Sequence, residues 1–326
     1  MAAPSHPPFL YPPGSPLMHP PLALTQARMY GFWVPGDAKA LQASVDATLN
    51  AGAGGNMAFT VVSPYVLMTF TDIARAYSQW PDDRAKGWGR EVDIVAWVLV
   101  AGLAKGEWLP SFYAYPLHIW VDDCMALIVG REVFGYPKYL CSHFMPGPDE
   151  PPVAFTLAAK GFQPFSPDSE LCVHPLLEVT GAPLLGTGRP IGDVQVWRND
   201  LLGGLDERPD FWSADPSWRS AFDQWFLTFP AMPQIFLKQF PDATGQQAVY
   251  QAIVAANAQV QAIHGVWMLG QEYSLNLHEF ASFPLARTLG WSLGEQKAWF
   301  GYRIDFDFHV EAGVELVNNT LGTEAR

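Results

Sequence analysis

Cysteine is scarce in this chain, whose 326 residues include only Cys124, Cys141 and Cys172. Three cysteines cannot all pair within one chain, and none of them shows the CxxC spacing of a zinc site. The histidines are likewise scattered, without the spacing of metal ligands. The sequence therefore indicates neither a disulfide framework nor a metal site, and we expect three buried free thiols.

Charged residues are also few, at 16% of the chain, and the formal net charge is -13. Binding to phosphate backbones or to anionic lipid headgroups draws much of its strength from lysine and arginine. We therefore expect neither nucleic acid nor a membrane as partner. A small anionic substrate stays possible, because one buried cationic side chain can dominate the local field.

Long apolar runs are missing. The longest, Ile94 to Leu103, has about ten residues, whereas a membrane-spanning helix needs about 20. The first residues lack a basic region followed by an apolar one, so no secretory signal is visible and we expect a cytoplasmic protein.

A nucleotide cofactor is not indicated either. No Gly-rich phosphate loop follows a strand with dinucleotide-binding spacing, and Gly52 to Gly55 lacks the lysine and the serine or threonine of a P-loop. We expect a protein that works without a cofactor.

Hydrophobic residues are plentiful by contrast, at 49% of the chain, which is enough for a packed core. Residues 1–22 contain eight prolines without apolar periodicity, which favours an extended N-terminal arm. No domain boundary is evident after it, so residues 23–326 are expected to form a single domain.

The hydrophobic patterns predict many strands and few helices, without regular alternation between them. This order favours an α+β fold built on a curved antiparallel sheet or barrel. Strands are predicted over Arg28–Val34, Phe59–Phe70, Val92–Leu103, Leu117–Val129 and Tyr302–Val310, with short strands between Val153 and Leu177, and helices over Asp37–Thr48 and Gln246–Ile263.

A Trp-rich excursion covers residues 184–225 and shows little regular period. We expect a long surface loop packed by its own tryptophans. A lid over an active site is the alternative.

The most informative segment surrounds Lys138. It reads Gly130-Arg131-Glu132-Val133-Phe134-Gly135-Tyr136-Pro137-Lys138, and the apolar run Met125 to Val129 precedes it. We interpret this run as the end of a strand that delivers the lysine into a dry cavity. An ordinary lysine, with a pKa near 10.4, is a free amine in only about one molecule in 2,500 at pH 7. Catalysis by this amine therefore requires burial to lower the pKa of Lys138.

This segment closely resembles the active-site motif of the acetoacetate decarboxylase family, in which Gly-Arg-Glu precedes an aromatic-Pro-Lys triplet. Weaker similarities extend it: His118 to Asp123 before the motif, Phe236 to Ala243, and Ser282 to Leu285. Together they cover most of the chain from about residue 28 to 316.

The resemblance implies a cone-shaped antiparallel β-barrel with flanking helices, a pocket in the barrel, no cofactor and a homo-oligomer. It implies that Lys138 forms an imine with a small oxo acid. Glu107 matches the family's pocket carboxylate and Arg28 its pocket arginine, while Tyr136 is the aromatic residue of the motif and is expected to bind substrate.

Tyr139 departs from the pattern, because the decarboxylases carry a second lysine there. Neighbouring side chains in extended chain point to opposite faces, so this loss need not affect Lys138. Members without the second lysine include enzymes that use the imine for aldol condensation and dehydration on pyruvate. We therefore expect a Schiff-base lyase that decarboxylates a small β-keto acid. A pyruvate aldolase-dehydratase and a non-catalytic small-molecule-binding barrel are the alternatives.

Overall fold

Strands are the predominant secondary structure of the computed structural model, which describes residues 8–181, 189–191, 194–208, 210–228, 231–269 and 272–320. The strands within these ranges are β1 Leu22–Pro35, β2 Met57–Val61, β3 Tyr65–Ser78, β4 Gly89–Ala104, β5 Ser111–Val121, β6 Lys138–Phe144, β7 Ala154–Gly161, β8 Cys172–Gly181, β9 Arg189–Ile191, β10 Ala231–Pro241, β11 Ala248–Met268, β12 Tyr273–Leu277, β13 Gly294–Val310 and β14 Val314–Asn318.

Short helices flank the strands, as α1 Ala38–Val45, α2 Ala51–Ala53, α3 Cys124–Val129, α4 Val194–Asp206, α5 Arg219–Thr228 and α6 Leu285–Leu289. Asp37 begins α1, where its side chain accepts a hydrogen bond from Ala40 N at 2.8 Å. Such a bond satisfies one of the amide groups that a helix start leaves without an intrahelical partner. The helix predicted over Asp37–Thr48 is confirmed, and a π-helical turn, Asp46–Asn50, joins α1 to α2.

The strands form a mixed sheet in the order β14-β11-β10-β5-β6-β7-β8-β12-β13-β1-β3-β4-β2, with β9 beside β11. The α+β class is confirmed. The purely antiparallel arrangement is wrong, because β5 pairs in parallel with both β6 and β10. Two further pairings, β11 with β13 and β5 with β4, connect strands that are distant in this order. Seven strands consequently follow one another in a closed path, β5-β4-β3-β1-β13-β11-β10 and back to β5.

The central strands are buried on both faces. On β4, Ile94 and Val98 belong to one hydrophobic cluster, whereas Val95 and Leu99 belong to a second cluster on the opposite face. Successive side chains of a strand alternate between faces, so a strand between two cores is apolar almost throughout. The doubly buried strand predicted over Val92–Leu103 is confirmed.

The alternation predicted for Tyr302–Val310 is confirmed in β13. Ile304, Phe306 and Val310 are buried on the inner face. On the other face Arg303 and Asp305 form an ion pair, with 2.6 Å between Nη2 and Oδ2.

The helix predicted over Gln246–Ile263 is wrong, because this segment is the long strand β11. It pairs with β10 along one edge and with β13 along the other. Burial at Ala252, Val254, Ala256 and Ala258 follows a period of two. Alanine favours helices, but hydrogen bonding and packing between two neighbouring strands outweigh that preference here.

Two predicted strands have different ends. Phe59–Phe70 contains a break after β2, where Pro64 lies between β2 and β3. Leu117–Val129 ends as a strand at Val121, because the Asp123 carboxylate accepts hydrogen bonds from the amides of Met125 and Ala126 at 2.8 and 2.9 Å and begins α3. The apolar run Met125 to Val129 is therefore helical.

The Trp-rich excursion also differs from the expected long loop, since α4 lies within it and α5 begins in it. Residues 184–188, 192–193 and 209 of this segment are outside the described residues, as are residues 1–7 of the N-terminal arm. The cysteines are free, but Cys124 is exposed and the other two are half-buried, so the expectation of buried thiols is wrong. Among the helices described, none has the length and apolar character needed to cross a membrane.

Candidate active site

Lys138 follows a tightly constrained turn. The π-helical turn Gly130–Phe134 continues α3, and Gly135 then adopts a φ of 103°. The amides of Gly135 and Tyr136 both donate to the Gly130 carbonyl, at 2.9 and 3.0 Å. Glycine accepts a positive φ at little cost, and π-helical turns are frequent at functional sites. The turn thereby fixes the direction in which the chain enters β6.

Two cationic side chains brace this turn from outside. Arg131 donates from Nη1 to the Lys138 carbonyl at 3.1 Å. Lys238 on β10 donates from Nζ to the Val133 carbonyl at 2.7 Å. Both bonds hold the backbone and leave the Lys138 amine available for other contacts.

Lys138 is 5% exposed, and its side chain lines a cavity of about 290 Å³. The apolar stem of the lysine passes Gly130, where a Cβ atom would lie 2.5 Å from Lys138 Cδ. The buried position expected from the sequence is confirmed, and the first glycine of the motif provides the space for the stem.

Two carboxylates of β4 determine the charge of this amine. Lys138 Nζ lies 3.2 Å from Asp93 Oδ1, and Glu91 is buried on the same face of β4. Burial acts to lower the pKa of Lys138, but the nearby charges of Asp93 and Glu91 outweigh burial and raise it. The expectation of a lowered pKa is therefore wrong: without substrate, the amine is an ammonium ion paired with Asp93.

The pKa of Glu91 is raised as well. Burial raises the pKa of Glu91 from 4.5 to about 7, although the Lys138 charge opposes this shift. A carboxyl group with this pKa is ionised in part of the molecules at neutral pH. It can thus accept or donate a proton there.

Tyr136, predicted to bind substrate, lies in the same cavity. Its hydroxyl donates to Gln234 Oε1 on β10, and its ring centroid lies 5.4 Å from Lys138 Nζ. Burial raises the pKa of Tyr136 well above its ordinary value, so the phenol stays protonated. Gln234 Nε2 has no hydrogen-bond partner among the residues that the structure describes.

Glu107 and Arg28 do not line this cavity. Glu107 is exposed after β4 and borders a separate hollow with Asn56 and Tyr113. Arg28 points to the opposite face of β1 from the cavity-lining Met29, and its Nη2 lies 3.0 Å from Asp72. The structure therefore brings Lys138 and Tyr136 together but leaves the other two predicted residues elsewhere.

The carboxylates near Lys138 are residues that sequence reasoning missed. Glu91, Asp93, Val95 and Trp97 alternate along β4 and all line the cavity. One signal in the sequence could have revealed Glu91 and Asp93. They are acidic residues at alternate positions of a strand whose following residues are apolar, and buried carboxylates require a partner.

The wall of the cavity comes from many elements. Every strand of the seven-strand path contributes at least one lining residue. Trp197 and Arg198 of α4 and Trp225 and Phe226 of α5 complete one part of it, so the Trp-rich excursion borders the cavity. Met18 of the N-terminal arm lines it as well.

Tyr139 lies outside the cavity, where it is 46% exposed. Its ring packs edge-on against Phe283 at 5.1 Å between centroids. The predicted opposite orientation of Lys138 and Tyr139 is confirmed. Among the described residues, no group of three or more His, Cys, Asp and Glu side chains could hold a metal ion.

The family model for acetoacetate decarboxylase matches residues 8–166, which include the Lys138 turn and both carboxylates of β4. By this match, residues 8–166 belong to the acetoacetate decarboxylase family. The match also includes residues 8–22 of the N-terminal arm. No curated protein matches the sequence significantly.

Several solved structures share this fold. Acetoacetate decarboxylase from Legionella pneumophila is 15% identical with a TM-score of 0.60, over 98% of this chain and 94% of that chain. An acetoacetate decarboxylase-like enzyme from Sphingomonas wittichii RW1 is 16% identical with a TM-score of 0.58, over 95% and 98%. The enduracididine biosynthesis enzyme MppR complexed with pyruvate is 13% identical with a TM-score of 0.51, over 93% of each chain.

Proposed function

We propose that this member of the acetoacetate decarboxylase family is a lysine Schiff-base lyase that decarboxylates a β-keto acid. The observation that carries the proposal is the buried Lys138 amine, which lines a cavity between a carboxylate at 3.2 Å and a second carboxyl group with a pKa of about 7. An amine, a proton acceptor and enclosed space are what imine formation with a ketone requires.

Proton transfer is the first step, because Lys138 starts as an ammonium ion. Glu91 in its carboxylate form accepts this proton, while Asp93 remains the charge partner of the site. The free amine then attacks the ketone carbon, and the resulting carbinolamine loses water when its hydroxyl takes the proton back from Glu91. The iminium ion that forms keeps a positive charge beside Asp93, which stabilises it.

Carbon–carbon cleavage follows from the charge of the iminium nitrogen. The bond to the substrate carboxylate breaks, its electron pair moves toward the nitrogen to give an enamine, and carbon dioxide leaves. Glu91, which became a carboxylate again when water was lost, takes up a proton from the solvent and delivers it to the enamine carbon. Water then hydrolyses the iminium ion to release the ketone and regenerate Lys138 as an ammonium ion.

Substrate contacts are proposed for Tyr136 and Gln234. The Tyr136 hydroxyl fixes the Gln234 amide through its oxygen and directs Nε2 toward other acceptors, such as a substrate oxygen. Glu107 and Arg28 have no part in this proposal, because neither lines the cavity.

Aldol chemistry on pyruvate is the second candidate. It would use the same imine, with a methyl proton lost to Glu91 in place of carbon dioxide. The solved structures titled MppR complexed with pyruvate, and with the condensation product of pyruvate and imidazole 4-carboxaldehyde, favour keeping it. A binding protein without turnover is the third candidate.

Several broader features belong to the same proposal. The closed seven-strand path supports a cone-shaped barrel, and we propose that residues 23–326 form this single domain behind the N-terminal arm. We also propose that the protein is a cytoplasmic homo-oligomer, that it works without a cofactor, and that it binds neither nucleic acid nor membranes. The oligomeric state is measured by light scattering after gel filtration.

Product analysis tests the reaction type. Purified protein is incubated with acetoacetate, with larger β-keto acids, and with pyruvate plus an aldehyde. Carbon dioxide release that a Lys138→Met variant lacks supports the decarboxylase, whereas aldehyde consumption with pyruvate supports the aldolase. The absence of both reactions would leave only the binding protein.

A further inference from the structure

The lining of the Lys138 cavity is chemically uneven. The ionisable and amide side chains that the strands contribute are Arg90, Glu91 and Asp93 on β4, Lys138 on β6, Gln234 on β10 and Tyr77 on β3, and those outside the strands are Asp123, Tyr136 and Arg198. Every residue that β1, β11 and β13 contribute is hydrophobic. This hydrophobic wall consists of Leu22, Leu24, Met29 and Trp33 on β1, Ala258, Val260 and Ile263 on β11, and Ile304, Phe306, Phe308 and Val310 on β13.

The two regions lie on opposite sides of the closed path. Lys138 on β6 pairs with Ile119 on β5, and within the closed path β4 and β10 are the two neighbours of β5. In the order β5-β4-β3-β1-β13-β11-β10, β1 and β13 are each three steps from β5, the greatest separation that seven strands allow. A substrate held at Lys138 therefore faces the hydrophobic wall across the cavity.

The volume of the cavity is larger than the reacting atoms alone require. Its volume is about 290 Å³. An engineered apolar cavity of about 150 Å³ is enough to bind benzene, and pockets for drug-sized molecules begin near 300 Å³. An oxo acid the size of acetoacetate has a single methyl group to place against this wall, and water would occupy the rest at an unfavourable free energy.

We propose that the substrate is a 3-oxo acid whose substituent is an alkyl or aryl group at least as large as a benzene ring. Its ketone carbon lies at Lys138 and its apolar group packs against the hydrophobic wall of β1, β11 and β13. The proposal rests on the lysine Schiff-base function and names the substrate class for that site.

Decarboxylation of a graded series tests this substrate class. The probes are acetoacetate, 3-oxooctanoate and 3-oxo-3-phenylpropanoate, and the readout is kcat/KM for carbon dioxide release by the full chain. We expect kcat/KM to be at least about tenfold higher for the two larger acids, since one methylene in a hydrophobic pocket changes discrimination by about 10–200-fold. An equal or higher value for acetoacetate overturns the substrate class and leaves the lyase function intact.

A matched pair of variants locates the apolar group. Val260→Phe adds a ring on the cavity side of β11, whereas Gln259→Phe adds the same ring at the neighbouring exposed position. Val260→Phe is expected to lower kcat/KM for the larger acids at least tenfold and to change it less than threefold for acetoacetate, with no effect of Gln259→Phe. A uniform loss for all three acids contradicts this placement. The wild-type series decides the substrate class even where a variant does not fold.

Calorimetry separates this proposal from the lyase function. If no acid is turned over, the lyase function fails, and the protein is titrated with 3-oxo-3-phenylpropanoate and with acetoacetate. Tighter binding of the phenyl compound, lost in Val260→Phe, still supports the ligand class. Equal or undetectable binding of both compounds overturns it.

Discussion

Gly130 and Lys138 lie so close together that a Cβ atom on Gly130 would stand 2.5 Å from Cδ and 2.8 Å from Cε of the lysine. The glycine that begins the sequence motif thus determines the path of the lysine stem to the cavity. This relationship explains why the motif needs a residue without a side chain eight positions before the reactive amine.

Gly130→Ala is expected to displace the lysine amine with little loss of stability. The clashing atoms belong to a flexible stem, so the free energy of unfolding should fall by about 1 kcal/mol. A displacement of about 1 Å can cost about a hundredfold in rate, and we expect turnover of the best substrate to fall at least tenfold. The control is Gly203→Ala in α4, where a Cβ atom meets nothing within 4 Å. Unchanged turnover in Gly130→Ala would contradict the assigned path.

Glu91→Gln tests the buried carboxyl group through stability. The pKa of Glu91 is raised in the folded protein, from 4.5 to about 7, so the folded state binds more protons than the unfolded state between these values. The stability of the wild type therefore falls as pH rises through this window. At 1.36 kcal/mol per pKa unit the fall is about 3 kcal/mol.

Glu91→Gln should lack this component, so the variant becomes more stable than the wild type above pH 7 and nearly equal to it at pH 4.5. Denaturant unfolding at both pH values measures the difference. Glu295→Gln, at an exposed position on β13, is the control and should show no such trend. A difference between Glu91→Gln and the wild type that does not change with pH would argue against a buried, titrating Glu91.

Asp93→Asn should lower the pKa of Lys138. Burial remains while the nearest negative charge is removed, and an opposite charge within about 4–6 Å typically accounts for about 1–3 pKa units. Acetylation of Lys138, followed by mass spectrometry across pH, should therefore show its midpoint shifted downward by at least about 1 unit. Asp168→Asn changes an exposed carboxylate as the control. An unchanged midpoint would mean that Asp93 does not control the amine.

Tyr139→Lys is expected to leave the reactivity of Lys138 unaltered. Residue 139 lies outside the cavity against Phe283, so an added ammonium group there stays in solvent and is screened. The pH dependence of Lys138 acetylation, measured as for Asp93→Asn, should coincide with that of the wild type. A midpoint lowered by one unit would show that the two positions interact.

The local motif made Lys138 and its burial predictable, because its glycine and proline residues mark a turn directly after an apolar run. The two carboxylates near the lysine were harder to predict from the sequence. Glu91 and Asp93 are 47 and 45 positions before it in the chain, and only the pairing of β4 with β5 brings them together. A carboxylate near in sequence, Glu107, was predicted in their place and lies outside the cavity.

The prediction of a helix over Gln246–Ile263 failed for a similar reason. Its apolar residues recur at intervals that suit either a helix or a strand with a half-buried outer face, and its alanines favour a helix. The choice depends on the edges that β10 and β13 offer, and these are distant in sequence. The pKa of Lys138 was mispredicted for the same reason, since burial was foreseeable but the two charges were not.

Borohydride reduction in the presence of a 3-oxo acid tests the central claim most directly. The protein is incubated with 3-oxo-3-phenylpropanoate or acetoacetate, reduced, digested and analysed by mass spectrometry. We predict an adduct with the mass of the reduced imine on Lys138, absent from Lys138→Met. A protein that turns over these acids without any adduct on Lys138, or that carries the adduct on another lysine, would contradict the account.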